Sequence, residues 1–251
     1  MRPINPDAIP QPAFVLAEEH KPGRSPWHAH RRAQLAYVSD GVLTVHTKAG
    51  LWVVPPQRAV WLLPGVRHCA TSARPYSLCT LYIEPRLVKL PKRCSVVAIE
   101  PLVRELLVAA GRFGYHYEQR SDETRLIRVI LDRLPTLPIA SLSLTQPSDE
   151  RLRRITRIFQ NEPSDARPLP DLSRASGISY RTAERLFRRE LGVSFREWRR
   201  QFRLLTALER LAAGDSVTNV ALDVGYTDVS AFIAMFKSTL GSTPGQYFRQ
   251  A

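Results

Sequence analysis

The sequence predicts an α+β protein of two domains, in which a small β-barrel or sandwich is followed by helices and then by an all-α domain. Residues 27–83 contain short apolar runs separated by turn residues, which is typical of a compact β domain. After Glu100 the apolar residues recur at helical intervals, and a segment near the C-terminus is repeated. With 251 residues, the chain is long enough to form two hydrophobic cores.

The β domain is predicted from five apolar runs that are rich in β-branched and aromatic residues. The dipeptides Asp40-Gly41, Pro55-Pro56 and Pro64-Gly65 lie between runs and favour turns. The predicted strands are residues 35–38, 42–45, 51–54, 60–63 and 78–83. Their number and spacing predict a small barrel or sandwich.

Two helices are predicted after the barrel, at residues 100–112 and 122–134, because leucine and isoleucine recur there at helical spacing. Residues 136–148 are rich in proline, serine and threonine without a periodic pattern, which predicts an interdomain linker. The expected domains are a sensor barrel at 1–95, a helical segment at 96–135, the linker at 136–148 and a helical domain at 149–251.

One supersecondary unit occurs twice in the C-terminal domain. Leu172–Ser179 corresponds to Val220–Thr227, and Phe187–Ser194 corresponds to Phe236–Thr243. Each copy is predicted to form a short amphipathic helix, a glycine turn, and a second helix that begins after a hydroxyl or carboxylate residue. This order predicts a helix-turn-helix unit, whose second helix lies in the major groove of DNA.

The second helix of the first copy has two different faces. One face is apolar and consists of Ala183, Leu186, Phe187 and Leu191. The other face is polar and consists of Arg181, Glu184, Arg185 and Arg188. Arginine pairs bidentately with guanine or with phosphate, and glutamate accepts a hydrogen bond from cytosine N4. These residue types favour a DNA-reading surface over a merely solvated one.

The second helix of the second copy presents only short side chains outside its core. These residues are Val229, Ser230, Ala231 and Ala234. Short side chains contact thymine methyl groups or let the helix dock on phosphates, and Lys237 is nearby to contact a phosphate. The base specificity of this unit is therefore expected to be low.

A long helix from Phe195 to Ala213 is predicted between the two copies. At 1.5 Å per residue it would be about 28 Å long, close to the roughly 34 Å that separate successive major-groove faces. Four arginines lie along it and either contact phosphates, pair with glutamates or face solvent. They are Arg196, Arg199, Arg200 and Arg203.

The composition restricts the class of protein. A net charge of +13 indicates a polyanionic partner, either nucleic acid or an anionic membrane surface. No apolar run is long enough to span a bilayer, and the polar, proline-rich N-terminus is unlike a signal peptide, so a cytoplasmic protein is expected. Cys69, Cys79 and Cys94 include no CxxC pair, which argues against a disulfide framework.

Three segments of the C-terminal domain, Ala175–Arg188, Val220–Lys237 and Gly241–Tyr247, together resemble the signature of the AraC/XylS family of transcription regulators. The resemblance covers residues 149–250 and implies that both units bind DNA. By position, it also implies which residues read bases. They are Arg181, Glu184 and Arg185 in the first unit and Val229, Ser230, Ala231 and Ala234 in the second.

The N-terminal half resembles the cupin-type sensor domain of many members of that family. The pattern His28-x-His30-x3-Gln34-x6-Gly41 is similar to the first cupin motif, although Gln34 stands where a glutamate is usual. His68, three residues after a glycine, fits the second motif. Either the three histidines hold a divalent metal through imidazole nitrogens, or, because the carboxylate is missing, they line an effector pocket with Gln34 as neutral polar groups.

Two classes of function remain open. The first is a regulator that binds promoter DNA as a homodimer through the two helices after the barrel, responds to a small effector, and contacts RNA polymerase if it is an activator. The alternative is a metal-dependent cupin oxygenase or isomerase with an attached DNA-binding domain. The missing carboxylate argues against this enzyme, so no catalytic activity is expected. A membrane-surface protein fits poorly, because the charges are interleaved within a repeat that suits DNA grooves.

Overall fold

The computed structural model describes residues 4–89, 91–118 and 121–249, and in it the chain forms two compact units. The first unit contains the chain up to Lys48 and Trp52–Leu142, and the second contains Ala49–Leu51 and the chain from Ser143 onward. The main division therefore falls within the stretch 136–148. The first unit is built mainly on strands and the second on helices, which confirms the predicted α+β fold class with two domains.

Two β-sheets form most of the first unit. The strands are β1 (Ala13–His20), β2 (Gly23–Arg24), β3 (Ala33–Asp40), β4 (Leu43–Thr47), β5 (Gly50–Val54), β6 (Arg58–Leu62), β7 (His68–Ser72), β8 (Tyr76–Ile83), β9 (Ser95–Ala98) and β10 (Ile139–Ala140). The larger sheet has the order β1-β8-β3-β6-β9-β10, and its neighbouring strands are antiparallel. The smaller sheet contains β5, β4, β7 and β2 in that order.

Two helices cover one face of the larger sheet. They are α1 (Pro101–Phe113) and α2 (Asp122–Arg133), at the positions that the leucine and isoleucine spacing predicts. Leu35 and Leu81 of the sheet pack with Leu107 and Ile130 of the helices in one fully buried cluster. Because successive side chains of a strand point to opposite faces, Gln34 lies on the face of β3 that is turned away from these helices.

Five of the described strands of the first unit have no counterpart in the sequence prediction: β1, β2, β7, β9 and β10. The second half of β1 is polar and shortens its apolar run to Ala13–Ala17, and most of β7 is polar. They are strands because β1 pairs with β8 over its whole length and β7 pairs with β4. In the same way, β10 pairs with β9 although its composition predicts irregular chain.

The second unit begins with strand β11 (Ser143–Thr145) and is otherwise helical. Its helices are α3 (Glu150–Asn161), α4 (Leu169–Ala175), α5 (Tyr180–Leu186), α6 (Phe195–Ala212), α7 (Val217–Asp223), α8 (Val229–Leu240) and α9 (Pro244–Tyr247). Helices α4 and α5 form the first helix-turn-helix unit, α7 and α8 form the second, and α6 joins them, as predicted. Among the described residues, no helix is both long enough and apolar enough to cross a membrane.

The turn within each helix-turn-helix unit depends on a glycine and a capping side chain. Gly177 and Gly225 have φ angles of +73° and +87°, a left-handed conformation that glycine adopts without a Cβ clash. Ser179 then accepts a hydrogen bond from the backbone N–H of Thr182, and Asp228 accepts one from Ser230. These caps start α5 and α8 and so fix where each second helix begins.

Helix α5 does not continue as one α-helix to Leu191, because Phe187–Leu191 form a π-helical turn. Glu190 lies in this turn, and its Oε2 accepts hydrogen bonds from the backbone N–H groups of Ser148 at 2.8 Å and Asp149 at 3.0 Å. Asp149 is the N-cap of α3. The end of the first recognition helix is therefore bonded to the start of the helical unit.

Candidate functional site

The outer face of α5 and the π-helical turn carries the polar residues that the sequence singles out. Arg181, Arg185 and Arg188 are exposed, and Glu184 is half-buried. On the opposite side of the same segment, Ala183, Leu186 and Phe187 are fully buried in the core with Phe159 and Trp198. The buried side holds the segment in place, and the arginines project outward on a rigid support.

The three arginines of this face are free of acidic partners. Within the described ranges, none of Arg181, Arg185 and Arg188 forms an ion pair, whereas Arg174 pairs with Asp171 and Arg189 with Glu190. An unpaired guanidinium keeps all its N–H donors for a ligand. The geometry therefore offers three free, planar donors to a phosphate or to a guanine edge.

Tyr180 is a further candidate on this face that the sequence analysis does not single out. It is the first residue of α5 and is 46% exposed. A hydrogen bond to the carboxylate of Glu184 raises the pKa of Tyr180, so its hydroxyl donates to that carboxylate. An exposed aromatic residue directly after an N-cap serine is the sequence signal that marks it.

The second recognition helix, α8, presents a different surface. Ser230, Ala231 and Ala234 are exposed, and Val229 is half-buried. Phe232 and Phe236 form its fully buried side. Lys237 is exposed in its last turn. This face therefore has one cation and short side chains where the face of α5 has three arginines.

The arginines along α6 separate into two kinds. Arg199 stacks on Phe195, with 5.0 Å from Cζ to the ring centroid, and Arg203 stacks on Tyr226 at 5.6 Å. Arg196 and Arg200, one turn apart, are exposed. None of these four forms an ion pair with a glutamate in the part of the chain that the structure describes. Arg196 and Arg200 therefore add two free charges to the second unit, and Arg199 and Arg203 mainly stabilise its packing.

A second candidate site lies in the first unit, where three histidines meet. One ring nitrogen of each of His28, His30 and His68 lies within 4.8 Å of those of the other two. His28 is exposed, and the other two are buried. His28 and His68 exchange backbone hydrogen bonds of 3.0 and 2.9 Å, and His30 accepts one from Gly65 N at 2.8 Å. These bonds bring the two histidine motifs together.

Each of these rings is oriented by a backbone carbonyl. Nδ1 of His28, His30 and His68 lies 2.8–2.9 Å from the carbonyl oxygens of Pro26, Arg32 and Val66, respectively. A carbonyl only accepts, so each Nδ1 carries the proton, and Nε2 of His28 and of His68 is the nitrogen left for a ligand. Burial lowers the pKa of His68 to about 4, so its imidazole is neutral at pH 7. Imidazole nitrogens suit a divalent transition metal.

Gln34 joins the cluster through His30. Its Oε1 lies 2.8 Å from His30 Nε2, and both side chains are buried. The ring of Tyr82 stands nearly perpendicular to that of His30, with 5.4 Å between the centroids. The four predicted residues His28, His30, Gln34 and His68 thus lie together, with Tyr82 as one aromatic wall.

Family models match both halves of the chain. A model described as "AraC-like ligand binding domain" matches residues 11–120, and a model described as "Helix-turn-helix domain" matches residues 172–250. The first match contains the histidine cluster, and the second runs from within α4 to the end of α9 and so covers both helix-turn-helix units except the start of α4.

Similar proteins include several named transcription regulators. The HTH-type transcriptional regulator NimR of Escherichia coli strain K12 is 38% identical over 223 residues, which span 89% of this chain and 82% of NimR. The transcriptional activator NphR of a Rhodococcus species is 37% identical over 126 residues, 48% of this chain and 37% of NphR. A crystal structure of fatty-acid-bound ToxT from Vibrio cholerae is 15% identical, with a TM-score of 0.41 and coverage of 94% of both chains.

Proposed function

Because this chain belongs to the AraC family of DNA-binding transcription regulators, with an N-terminal ligand-binding domain, we propose that its two helix-turn-helix units have unequal roles at the operator. The first helix-turn-helix unit makes most of the direct base contacts, through Arg181, Glu184 and Arg185. The second helix-turn-helix unit fixes the position of the protein on the DNA and the spacing between the two half-sites, through the short residues of α8 and a phosphate contact by Lys237.

The observation that supports this division is the distribution of free charge. The face of α5 and the π-helical turn has Arg181, Arg185 and Arg188 without acidic partners, whereas that of α8 has Lys237 alone. Bidentate arginine–guanine pairs discriminate between bases, but small side chains contribute only contact with methyl groups and backbone.

A base-substitution scan across the operator tests the division. In the half-site bound by the first helix-turn-helix unit, each substitution at a contacted base is expected to lower affinity by about 5- to 150-fold, the loss typical of a bidentate contact. In the other half-site we expect losses below about fivefold at each position. The measurement is fluorescence anisotropy at fixed salt on a fragment beside the protein's own gene. Equal losses in both half-sites would contradict the proposal.

We further propose that the ligand of the N-terminal domain binds at His28, His30, Gln34 and His68. These side chains converge at one place, with His28 at the surface and the others buried. The named relatives are transcription regulators, and we therefore interpret the cluster as a sensing site rather than a catalytic one.

We also propose that the protein acts as a homodimer through α1 and α2. Leu102 on α1 and Val129 on α2 are 54% and 43% exposed and offer apolar surface for a partner helix to cover. Replacing both with glutamate is expected to convert a dimer into a monomer in sedimentation analysis, because two charges would have to be buried. Arg74→Glu, on an exposed turn, is the control. A wild-type monomer, or an unchanged dimer in the double variant, would refute this contact.

A further inference from the structure

We propose that Arg203 is a positioning residue, which joins the turn of the second helix-turn-helix unit to the loop before the first and so fixes the half-site spacing that the protein accepts. The inference rests on the proposed roles of the two helix-turn-helix units at the operator. It adds the residue that holds the two units at one relative orientation.

Arg203 reaches the second recognition helix through an aromatic ring. It lies in the middle of α6, and its side chain is half-buried. The guanidinium stacks on Tyr226, with 5.6 Å from Cζ to the ring centroid. Tyr226 follows Gly225 in the turn between α7 and α8, and its ring packs edge-on against that of Phe232 in α8, with 5.5 Å between the centroids. A movement of α8 therefore displaces the ring on which Arg203 rests.

The same guanidinium contacts the loop before the first helix-turn-helix unit. Its Nη2 donates a hydrogen bond to the backbone carbonyl oxygen of Asp165 at 3.4 Å. Asp165 lies in the α3–α4 loop, which leads directly into α4. A Cβ on Gly225 would meet both this guanidinium and the carbonyl oxygen of Ser164, so loop, arginine and turn meet at one point. Asp165, Arg203 and Tyr226 are called the clasp below.

Packing alone does not require a charge at this position. Nε of Arg203 is buried and makes no hydrogen bond with the described residues, and a buried donor without a partner costs free energy. The directed contacts of the charged group instead favour a single arrangement of loop and turn. Arg210 of α6 also pairs with Asp223 of α7, at 2.7 Å, but this ion pair is half-exposed and contributes little. Without the clasp, α6 still joins the two helix-turn-helix units but holds them less firmly at one angle.

The relative orientation of the two units determines which operators fit. One base pair inserted between the half-sites moves one of them by about 3.4 Å and rotates it by about 35° around the DNA axis. Two linked binding modules gain affinity only where the link lets both bind at once. A firm clasp therefore restricts binding to one spacing. A loosened clasp tolerates neighbouring spacings and binds the native spacing less tightly.

Operators with one base pair inserted or deleted between the half-sites test this inference. The base-substitution scan locates the half-sites, and affinities of the full-length protein are measured by fluorescence anisotropy at fixed salt. The wild type is expected to lose at least about tenfold in affinity at either altered spacing. Arg203→Met keeps much of the side-chain volume but removes the charge and the stack. It should lose less than about threefold at the altered spacings and bind the native operator about 3- to 10-fold more weakly than the wild type.

Two changes at Tyr226 test the stack itself. Tyr226→Phe keeps the ring beside the guanidinium and should discriminate between spacings like the wild type. Tyr226→Leu removes the ring but keeps an apolar side chain against Phe232, and it should tolerate the altered spacings as Arg203→Met does. Arg200→Met is the matched control, because it removes an exposed arginine from the same helix. Any loss in this control should be equal at all three spacings.

The pattern across spacings separates positioning from a loss of fold. Circular dichroism should show unchanged helix content in Arg203→Met, whereas an equal loss of affinity at every spacing would mean a merely structural role and overturn the inference. It also fails if Arg203→Met and Tyr226→Leu discriminate between spacings as sharply as the wild type, while the proposed division of base reading would still stand on its own scan. If the wild type itself binds all three operators equally, the proposed role of the second helix-turn-helix unit in spacing is wrong, and that of the clasp with it.

Discussion

Arg181→Ala and Arg185→Ala are each expected to weaken binding to the operator by about 5- to 150-fold, and the double variant by at least about a hundredfold. Both guanidinium groups are exposed, are free of acidic partners and project from a helix whose other side is buried. Their removal therefore takes away DNA contacts without leaving an unpaired carboxylate behind. Fluorescence anisotropy on the fragment beside the protein's own gene, at fixed salt, provides the measurement.

Two matched variants separate base reading from general charge. Arg74→Ala removes the same charge from an exposed position of the β domain and should leave the affinity unchanged. Arg185→Lys keeps the charge but loses the planar pair of donors, so it should lower affinity for the operator more than affinity for unrelated DNA. If Arg181→Ala and Arg185→Ala both bind the operator like the wild type, the assignment of α5 as the main reading helix is wrong.

The helical unit could be predicted from the sequence in some detail because its signals are local. The repeat, the glycine at each turn and the capping residues lie within a few positions of each other, and they give the observed helices. The apolar spacing also predicts which side of α5 is buried. The π-helical turn could not be predicted, because it accompanies the contact of Glu190 with Ser148 and Asp149, about forty positions away along the chain.

The N-terminal β domain was less predictable because its strands depend on partners that are distant along the chain. β7 is too polar to be recognised, and only the first half of β1 is apolar; both strands form along their whole length because β8 and β4 are available to pair with them. The same limit applies to the histidine cluster. The spacing of the motifs indicates that His28, His30 and His68 matter, but the carbonyls that orient their rings and the bond from Gln34 to His30 depend on how the loops fold back.

Replacing Gly225 with alanine is expected to destabilise the C-terminal unit by about 2–5 kcal/mol, the sum of a left-handed backbone penalty and a steric clash. A Cβ at this position would lie 2.8 Å from the carbonyl oxygen of Ser164 and would also contact the guanidinium of Arg203. The arginine can move, but the backbone of the α3–α4 loop cannot move without disturbing the first helix-turn-helix unit. Gly225 thus allows the turn between α7 and α8 to pack against the α3–α4 loop, which leads into the first helix-turn-helix unit.

Gly177→Ala is the matched control for this change. Gly177 forms the same turn in the first helix-turn-helix unit, with a similar φ of +73°. An alanine methyl group there would meet no atom of another part of the chain within 4 Å. Alanine there costs only the backbone penalty, about 1–2 kcal/mol. Hydrogen exchange followed by mass spectrometry reports the difference: amides of α7 and α8 should exchange at least about tenfold faster in Gly225→Ala than in Gly177→Ala. Equal effects of the two substitutions would show that the close packing of Gly225 against Ser164 does not contribute to the stability of the helical domain.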